Sequence, residues 1–342
     1  MKTPSGSIIV TGGAGFIGSE LVSQLVDSGA EVTVVDNLVN GKRENIESAL
    51  DRGARLLTAD IRDIDSLKTV IKDARVIYNL ACLGVRHSLH SPIENHEVNA
   101  TATLNLIKAC HENGVGRFVQ ISTSEVYGTA CWVPMTEEHP TMPETVYGAS
   151  KLAGEAYARA FYRTHAYPTV VVRLFNAYGP RSHHEGDSGE VIPKMMLRAM
   201  AGKPLVIFGD GSQTRDFNHV TDSARAIISA GTSMAAIGQT INVGSGREVS
   251  IRDLADTVSQ VVGQDPGSIE FREPRPGDVM RLCANSTRAT ELLNYQPGIE
   301  LGEGLAGLKR WYEKSGHSPE ALLTQEVVEN WRVDHAPQIS PG

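Results

Sequence analysis

The sequence predicts an α/β protein with a Rossmann-type, doubly wound parallel sheet and a smaller α/β lobe. Through the first half of the chain, strand-like apolar runs alternate with amphipathic helix-like segments, which is typical of a parallel sheet with crossover helices. After Gly179 and Pro180 the pattern changes to a polar loop and shorter segments that contain proline and glycine. This change indicates a second lobe. A chain of 342 residues is long enough to hold both parts.

Periodicity places the elements in chain order. Short apolar runs predict strands at Ser7–Thr11, Glu31–Asp36, Val76–Leu80, Arg117–Ser122 and Thr169–Arg173. Apolar residues at helical spacing predict helices at Phe16–Ser28, Asp65–Lys72, Glu97–Glu112 and Val146–His165. The second lobe is expected to open with a loop at 181–190, a helix at Ile192–Ala201 and a strand at Leu205–Phe208. We expect the two parts to pack together with a cleft between them.

Composition excludes several classes of protein. The chain has 32 basic and 40 acidic residues, a net charge of −8, without long charged runs, so neither nucleic acid nor an anionic membrane is expected as a partner. The 4 cysteines lack paired C-x-x-C spacing, so neither a zinc site nor a disulfide framework is expected, and we predict no metal. The sequence offers no signal-peptide pattern and no apolar run near the roughly 20 residues that span a membrane. We therefore expect a cytoplasmic protein.

A glycine-rich turn follows the first strand and opens the first helix. Gly12, Gly15 and Gly18 have G-x-x-G-x-x-G spacing. This spacing lets backbone amides and the helix N-terminus approach a pyrophosphate. The second strand ends in Asp36, whose carboxylate can accept hydrogen bonds from the adenosine ribose and would repel a 2′-phosphate. The pattern predicts NAD as the cofactor rather than NADP.

A tyrosine and a lysine stand four residues apart on a predicted helix. Tyr147 and Lys151 therefore share one helix face, where a phenol and an ammonium can do acid–base work. The nearby ammonium and a positive nicotinamide ring are both expected to favour the phenolate. Upstream, the strand that ends near Ser122 is followed by further hydroxyls and by Glu125. The carboxyl edge of a parallel sheet is where such sheets bind ligands.

These motifs resemble the extended short-chain dehydrogenase/reductases, specifically the NAD-dependent nucleotide-sugar epimerase/dehydratase family. The resemblance covers roughly Ser7 to Trp311. The motifs that carry it are TGGAGFIG at 11–18, Asp36, Asp60-Ile61, Asn79-Leu80-Ala81, Asn99, STSEVYG at 122–128, YGASK at 147–151, RLFNAYGP at 173–180, GDGSQTRDF at 209–217 and RPGD at 275–278.

The resemblance implies a role for each motif. Tyr147 is the expected base, Lys151 positions the nicotinamide ribose, and Thr123 hydrogen-bonds the sugar hydroxyl that is oxidised, with Ser124 and Glu125 completing the catalytic set. The residues expected to bind NAD are Gly12, Gly15, Phe16, Ile17, Gly18, Asp36, Asn37, Asp60, Ile61, Leu80, Ala81, Asn99, Tyr147 and Lys151. The residues expected to bind the nucleotide-diphosphate sugar are Arg86, Asn176, Val191, Arg215, Arg275 and Asp278.

The resemblance also implies a domain organisation. Residues 1–176, with about 217–244, are expected to form the NAD-binding Rossmann domain. Residues 177–216 and 245–315 are expected to form the nucleotide-sugar-binding lobe, and 316–342 a C-terminal helix and tail. Relatives commonly pair the two helices at Glu97–Glu112 and Val146–His165 across a dimer interface, so a homodimer is expected by analogy.

The strand end indicates which reaction the family resemblance implies. Members first move hydride from sugar carbon 4 to a resident NAD and then differ in the fate of the 4-keto intermediate. Epimerases typically carry small residues after the catalytic Ser or Thr. Glu125 instead stands two residues after Thr123, where 4,6-dehydratases and uronic acid decarboxylases keep a carboxylate. Since Glu125 is suited to remove the carbon 5 proton while the carbon 6 hydroxyl leaves as water, we expect a nucleotide-sugar 4,6-dehydratase.

Two other reactions stay open, a UDP-sugar 4-epimerase and then a UDP-glucuronate decarboxylase. Glucose dehydratases usually carry Asp-Glu where this chain has Ser124-Glu125, so Glu125 would have to act as both base and acid. Decarboxylases share an arginine where this chain aligns Leu282, with Arg281 one residue out of register. Arg86 suits either a substrate carboxylate or a protein carboxylate and phosphates. A non-enzymatic NAD-binding protein is disfavoured, because all the catalytic residues are present.

Overall fold

The structure is a computed structural model that describes residues 7–263, 269–275 and 278–331. Residues 1–6, Pro276 and Gly277 of the RPGD motif, and 332–342 of the expected tail lie outside the described residues. The strands are β1 (Ser7–Thr11), β2 (Glu31–Asp36), β3 (Arg55–Thr58), β4 (Ala74–Asn79), β5 (Arg117–Thr123), β6 (Thr169–Leu174), β7 (Ala177–Tyr178), β8 (Leu205–Phe208), β9 (Thr214–Arg215), β10 (Asn218–His219), β11 (Thr240–Val243), β12 (Val249–Ser250) and β13 (Ile269–Arg272).

Most of the helices lie between these strands in the chain. They are α1 (Phe16–Asp27), α2 (Glu47–Asp51), α3 (Ile64–Lys72), α4 (Val85–His90), α5 (Pro92–His96), α6 (Thr103–Glu112), α7 (Val146–His165), α8 (Val191–Met200), α9 (Val220–Thr232), α10 (Ile251–Val262), α11 (Thr287–Leu293), α12 (Leu301–Lys314) and α13 (Pro319–Leu323). Short 3-10 turns lie at Arg43–Ile46 and Ser124–Val126, and a π-helical segment at Glu97–Ala102 runs into α6.

The central sheet has seven parallel strands in the order β11-β6-β5-β4-β1-β2-β3. The chain moves outward from β1 through β2 to β3, then returns to β4 on the other side of β1 and continues through β5 and β6. This reversal confirms the predicted doubly wound Rossmann-type sheet. It also opens a crevice at the carboxyl ends of β1 and β4, where such sheets bind ligands.

Side chains of the central strands alternate between two apolar cores. Ile8 and Val10 point into a core shared with α1 and α9, whereas Ile9 points into the opposite core with α3, α6 and α7. A parallel sheet covered by helices on both faces is buried on both faces, which explains why the sequence reads as nearly continuous apolar runs. The helices packed on the two faces of the sheet fix the position of its carboxyl edge.

The second lobe has a core of its own. Parallel strands β8 and β13 pair, and helices α8, α10, α12 and α13 pack beside them around residues such as Met196, Leu254 and Leu308. The chain leaves β6 for this lobe, returns through α9 to add β11 to the central sheet, and then enters the lobe again.

The helix predicted at Glu97–Glu112 is not uniform. Its first part, Glu97–Ala102, has π-helical hydrogen bonding, and the regular α-helix begins at Thr103. The Thr103 hydroxyl donates a hydrogen bond to the Asn99 carbonyl oxygen at 2.9 Å, so a side chain competes with the backbone for this acceptor. Single-turn π segments occur frequently at functional sites.

A buried ion pair fastens α7 to the sheet. Both carboxylate oxygens of Glu155 accept hydrogen bonds from Arg173 on β6, at 2.9 and 2.7 Å, and the Ser122 hydroxyl donates to the same carboxylate at 2.5 Å. Arg173 also donates to the Tyr127 hydroxyl at 2.8 Å. Burial raises the pKa of Glu155, but the hydrogen bonds and charge of Arg173 outweigh it, so the pKa lies below its usual value.

Replacing one partner of this pair should strongly destabilise the fold. Glu155→Gln leaves the Arg173 guanidinium buried without its counter-ion, which typically costs about 3–5 kcal/mol. The measurement is the free energy of unfolding from denaturant titration. Because the pKa of Glu155 is depressed, the stabilisation exists above the unfolded-state pKa and is lost as pH falls through the folded-state pKa, so wild type and variant should converge in acid.

The matched control for this prediction is Arg159→Gln. Arg159 donates to the same carboxylate at 2.8 Å, but its side chain is 28% exposed. Exposed partners of this kind contribute roughly 1 kcal/mol or less. Equal losses of stability in the two variants would contradict the assignment of the Glu155–Arg173 pair as the fastening contact.

Candidate active site

The glycine turn after β1 fits the close approach of a dinucleotide. Gly12 has a φ of +66°, and a Cβ atom there would lie 2.7 Å from the Ala81 amide nitrogen. A Cβ atom at Gly18 would lie 2.1 Å from the Gly12 carbonyl oxygen. Gly15 caps α1 without a side-chain hydrogen bond, so no side chain occupies the helix N-terminus. The turn therefore presents backbone amides and the positive end of the α1 dipole to an anion such as a pyrophosphate.

The residues that follow the glycines belong to the first turn of α1. Phe16 is buried, with 6% of its surface exposed, and Ile17 packs against the core shared by α1 and α9. Their side chains anchor the helix start on the sheet. Phe16 and Ile17 would therefore contact a cofactor only through their backbone atoms or through the exposed part of the Ile17 side chain.

Asp36 ends β2 beside the glycine turn. Its carboxylate accepts hydrogen bonds from the Ala14 and Leu38 amides, both at 2.9 Å. Burial raises the pKa of Asp36, and these two hydrogen bonds oppose that rise. A Cβ atom at Gly41 would lie 2.7 Å from the carboxylate, so the loop that follows β2 wraps closely around it.

Asn37 and Asp60 meet at the carboxyl edge between β2 and β3. The Asn37 amide donates to the Asp60 carboxylate at 2.9 Å. Arg62 hydrogen-bonds the same carboxylate and lowers the pKa of Asp60 to about 2. Ile61 between them is buried. Asn37 and Asp60, two of the residues predicted to bind NAD, are thus joined in one network.

The loop after β4 is shaped by Asn99. The Asn99 amide group accepts from the Leu83 amide and donates to the Leu83 carbonyl, both at 2.9 Å, and donates to the Ser150 hydroxyl at 3.1 Å. Leu80 and Ala81 precede this loop and are held to the end of β1 through Thr11. Asn99 therefore positions the loop and α7, a role that its place in a sequence motif did not reveal.

The start of α7 meets the end of β5. The Thr145 hydroxyl caps the helix by accepting from the Gly148 amide at 3.1 Å, and a Cβ atom at Gly148 would lie 2.7 Å from the Glu125 carbonyl oxygen. Only glycine allows this approach, and it brings Tyr147 within hydrogen-bond reach of Thr123. The Thr123 hydroxyl in turn accepts from the Glu125 amide at 3.2 Å. Four predicted catalytic residues from the end of β5, the 3-10 turn that follows it and the start of α7 are therefore close together, with Ser124 buried: Thr123, Ser124, Glu125 and Tyr147.

The charges around Tyr147 differ from the prediction. Burial, together with the nearby Cys82 and Glu125, raises the pKa of Tyr147 well above its usual value. The ammonium of Lys151 donates to the Ile121 carbonyl oxygen at 2.6 Å, and burial lowers its pKa. Lys151 is thus anchored on β5, and the protein groups around Tyr147 favour the neutral phenol.

Glu125 sits among arginines. Burial raises its pKa, while the charges of Arg215 and Arg86 lower it and that of Asp278 raises it. Burial lowers the pKa of Arg86, and the negative charges of Glu125 and Asp278 raise it in opposition. Within the described residues Arg86 makes no ion pair, which leaves its guanidinium facing this cluster. Glu125 is thus tied to Thr123 through its backbone amide, and its carboxyl group, with a raised pKa, lies within reach of two cationic charges.

The predicted substrate residues divide into two groups. Arg215 donates to the Asp278 carboxylate at 2.6 Å and to the Val279 carbonyl at 2.6 Å, so Asp278 orients Arg215 instead of facing a ligand alone. Asn176 has a buried amide oxygen, and Arg275 a buried Nε, that lack hydrogen-bond partners in the described part of the chain. Such unsatisfied groups fit a polar ligand. Val191, the first residue of α8, packs at the margin of the second-lobe core.

One acidic residue near the site escaped the sequence analysis. Glu190 ends the 181–190 loop, and its charge is close enough to raise the pKa of Tyr147. Burial raises the pKa of Glu190 itself to about 7, while His183 lowers it and Glu185 raises it. The loop is held to the sheet side by an ion pair of 2.8 Å between Lys42 and Glu185. Glu190 directly precedes Val191 but belongs to none of the motifs, and it is distant in the chain from Tyr147, so only the fold brings the two together.

The described residues contain neither a cluster of metal-ligating side chains nor a membrane-spanning helix. No group of three or more His, Cys, Asp or Glu side chains there is arranged to hold a metal ion. The adjacent His183 and His184 both contact Glu185 instead. Among the helices of residues 7–263, 269–275 and 278–331, none has the length and apolar character of a membrane span.

Comparisons with known proteins agree with this geometry. The sequence profile described as GDP-mannose 4,6 dehydratase matches residues 9–308. The UDP-glucose 4-epimerase of Mycolicibacterium smegmatis is 37% identical over 302 residues, covering 87% of this chain and 96% of that protein. The dTDP-glucose 4,6-dehydratase of Streptomyces griseus is 33% identical over 313 residues, covering 90% and 94%.

A solved structure with a bound cofactor has the same fold. DesIV, a dTDP-glucose 4,6-dehydratase from Streptomyces venezuelae crystallised with NAD, superposes with a TM-score of 0.85 at 31% identity and covers 90% of this chain and 97% of that one. Both dehydratases and epimerases therefore match over most of their length. The chain belongs to the GDP-mannose 4,6 dehydratase family of nucleotide-sugar dehydratases and epimerases, within the extended short-chain dehydrogenase/reductases.

Proposed function

We propose that this protein is an NAD-dependent nucleotide-sugar 4,6-dehydratase. The observation that carries the proposal is the position of Glu125. Its backbone amide donates to the Thr123 hydroxyl at 3.2 Å, and its charge is close enough to Tyr147 to raise the pKa of the phenol. A reaction confined to carbon 4 needs only the hydroxyl groups of Thr123 and Tyr147 and the ammonium group of Lys151. A carboxylate at the same place is what proton removal from carbon 5 requires.

NAD fits the glycine turn and Asp36, and dehydratase and epimerase structures of related chains contain it. When bound, NAD would supply a hydride acceptor for the oxidation at carbon 4 and, in its reduced form, a hydride donor. Residues on β5 and α7 would do the proton chemistry around it. Because the protein groups alone favour the neutral phenol, the positive nicotinamide ring of bound NAD would have to favour the Tyr147 phenolate. That phenolate would take the proton from the carbon 4 hydroxyl, Thr123 would hold that hydroxyl, and Lys151 would hold the ribose of the cofactor.

The elimination then needs a base and an acid. The 4-keto group acidifies the carbon 5 proton, which Glu125 removes, and the carbon 6 hydroxyl accepts a proton and leaves as water. Glu190 is suited to donate that proton, because a carboxyl with a pKa of about 7 is partly protonated at neutral pH. Ser124 stands where glucose dehydratases usually carry an aspartate, so the Ser124-Glu125 pair has no separate acid. The carboxyl of Glu190 would take that role.

A 4-epimerase is the second candidate. The relative from Mycolicibacterium smegmatis, at 37% identity, is a UDP-glucose 4-epimerase, so overall similarity does not favour dehydration. A uronate decarboxylase has less support. Arg281 pairs with Glu248 at 2.7 Å with 54% of its side chain exposed, and Leu282 is fully buried, so neither offers a cation to the cleft.

The reaction can be identified by its product. Nucleotide hexoses with different bases, incubated in deuterated water, should give a 4-keto-6-deoxy sugar that carries deuterium at carbon 5, because Glu125 exchanges its proton with solvent. Mass spectrometry and NMR of the product make the measurement. A C4 epimer formed without loss of water would refute the dehydratase assignment in favour of the epimerase, and carbon dioxide from a uronate would indicate the decarboxylase.

Glu125→Gln should separate the two halves of the reaction. Substrate should still reduce bound NAD, seen as nicotinamide absorbance, but turnover should fall by about 10²-fold or more, because no base removes the carbon 5 proton. Glu144→Gln is the control, since Glu144 is an exposed acid just before α7. Full turnover by Glu125→Gln would be inconsistent with a base at this position.

Glu190→Gln tests the source of the second proton. An amide cannot protonate the leaving hydroxyl, so reduction of NAD should persist while loss of water slows by about 10²-fold. In wild type, kcat should fall as the pH rises, because Glu190 loses the proton that it donates. In Glu190→Gln this alkaline decrease of kcat should disappear. If kcat and its alkaline limb are both unchanged, another group or water supplies the proton.

Arg86→Gln should move the acid limb of the kcat profile. Glu125 must be ionised to act as a base, and the positive charge of Arg86 lowers its pKa. Removing that charge raises the pKa of Glu125, so activity should be lost at a higher pH, by roughly one unit. Arg86→Lys keeps the charge and should keep the limb near its wild-type position. A shift toward lower pH would contradict this electrostatic role.

A further inference from the structure

The chain returns across the second lobe after α13. We call residues 324–331 the C-terminal strap. The Gly186 amide donates to the Gln325 carbonyl at 2.9 Å, and the Asn330 side chain donates to the carbonyls of Asp187 and Gly189 at 2.9 and 3.1 Å. The strap therefore binds the 181–190 loop, which ends at Glu190.

Charged contacts fix the strap on α8. Glu326 forms a paired contact with Arg198, at 3.0 and 2.9 Å, and the two side chains are only 8% and 12% exposed. The Lys194 ammonium donates to the Val327 carbonyl oxygen at 2.8 Å. Contacts with this degree of burial hold the backbone of the strap in one position.

Trp331, at the end of the strap, meets a predicted substrate residue. The guanidinium carbon of Arg275 lies 5.2 Å from the centre of the Trp331 ring and 4.7 Å from the centre of the Phe208 ring. The two rings pack edge to face, with centroids 4.6 Å apart and planes at 87°. Both distances are within the range of cation–π attraction, so two aromatic side chains hold the Arg275 cation.

The remaining polar surroundings leave Arg275 available to a ligand. Its Nε is buried without a hydrogen-bond partner in the described residues, and no ion pair joins its guanidinium to a carboxylate there. Arg86 and Arg215 are close enough for their charges to act on it, with Asp278 as the opposing charge. A cation that is held by ring faces keeps its N–H groups free, and three neighbouring arginines suit a dianionic group such as a diphosphate.

We infer that Trp331 is a positioning residue for substrate: it holds the Arg275 guanidinium against Phe208 so that its N–H groups face the diphosphate of the nucleotide sugar. The inference rests on the proposed nucleotide-sugar function. It concerns a segment that follows the family match, which ends at residue 308.

The test compares Trp331→Phe with Trp331→Leu. Both remove the indole, but only phenylalanine keeps a ring face for the cation. Calorimetry measures the affinity of each variant for UDP, dTDP and GDP. For the diphosphate that the wild type binds best, Trp331→Leu should lower the affinity by about 5- to 20-fold, which corresponds to the loss of a cation–π contact. The phenylalanine variant should recover most of that loss. In turnover, KM should rise by a similar factor with kcat within about twofold.

Two further measurements separate positioning from general damage. In an Arg275→Ala background, Trp331→Leu should cause no additional loss of diphosphate affinity, because the two residues act together. The nucleoside without phosphates should bind the leucine variant as it binds wild type. Trp132→Leu is the control, since Trp132 is a half-exposed tryptophan on the 129–135 loop.

Several outcomes would overturn the inference. These are equal losses in the phenylalanine and leucine variants, additive losses with Arg275→Ala, equal weakening of nucleoside and diphosphate binding, or a fall in kcat with KM unchanged. Binding is measured without turnover, so the result is the same for a dehydratase or an epimerase. A wild-type protein that binds no nucleoside diphosphate would instead refute the proposed function together with the inference.

Discussion

The arrangement of the site depends on the buried contact between Glu155 and Arg173. Burial alone would favour a neutral carboxyl, but two hydrogen bonds from the guanidinium and one from Ser122 keep Glu155 ionised. Glu155 lies one turn beyond Lys151 on the same helix face. Rotation or sliding of α7 would break this contact, so the ion pair fixes the positions of Tyr147 and Lys151 on that helix.

The charge carried by three arginines in the cleft is opposite in sign to the net charge of the whole molecule. The chain carries a net charge of −8, yet Arg86, Arg215 and Arg275 lie close enough for their positive charges to act on one another. Glu125, which lies close to these arginines, and Glu190 both have raised pKa values through burial. The same low-dielectric surroundings strengthen cation–anion attraction and make carboxyl groups competent for proton transfer near neutral pH.

Local patterns in the sequence were sufficient for much of this structure. The β–α alternation predicted the parallel sheet, and the spacing of Tyr147 and Lys151 placed both on one face of a helix that begins and ends as expected. Contacts between distant segments could not be read in this way. Glu190 and Trp331 reach the site only through the path of the 181–190 loop and the strap. The effect of burial on Tyr147 likewise depends on neighbours, Cys82 among them, that no local pattern identifies.

The order in which the sheet is assembled has a consequence for synthesis in the cell. All six residues of β6 are buried, and its outer neighbour β11 begins only at Thr240, after the chain has built much of the second lobe. Until then β6 is an apolar edge with free hydrogen-bonding groups, which can pair with strands of other chains. Defects in the intervening segment should therefore appear first as reduced yield and aggregation during expression, before any change in ligand affinity.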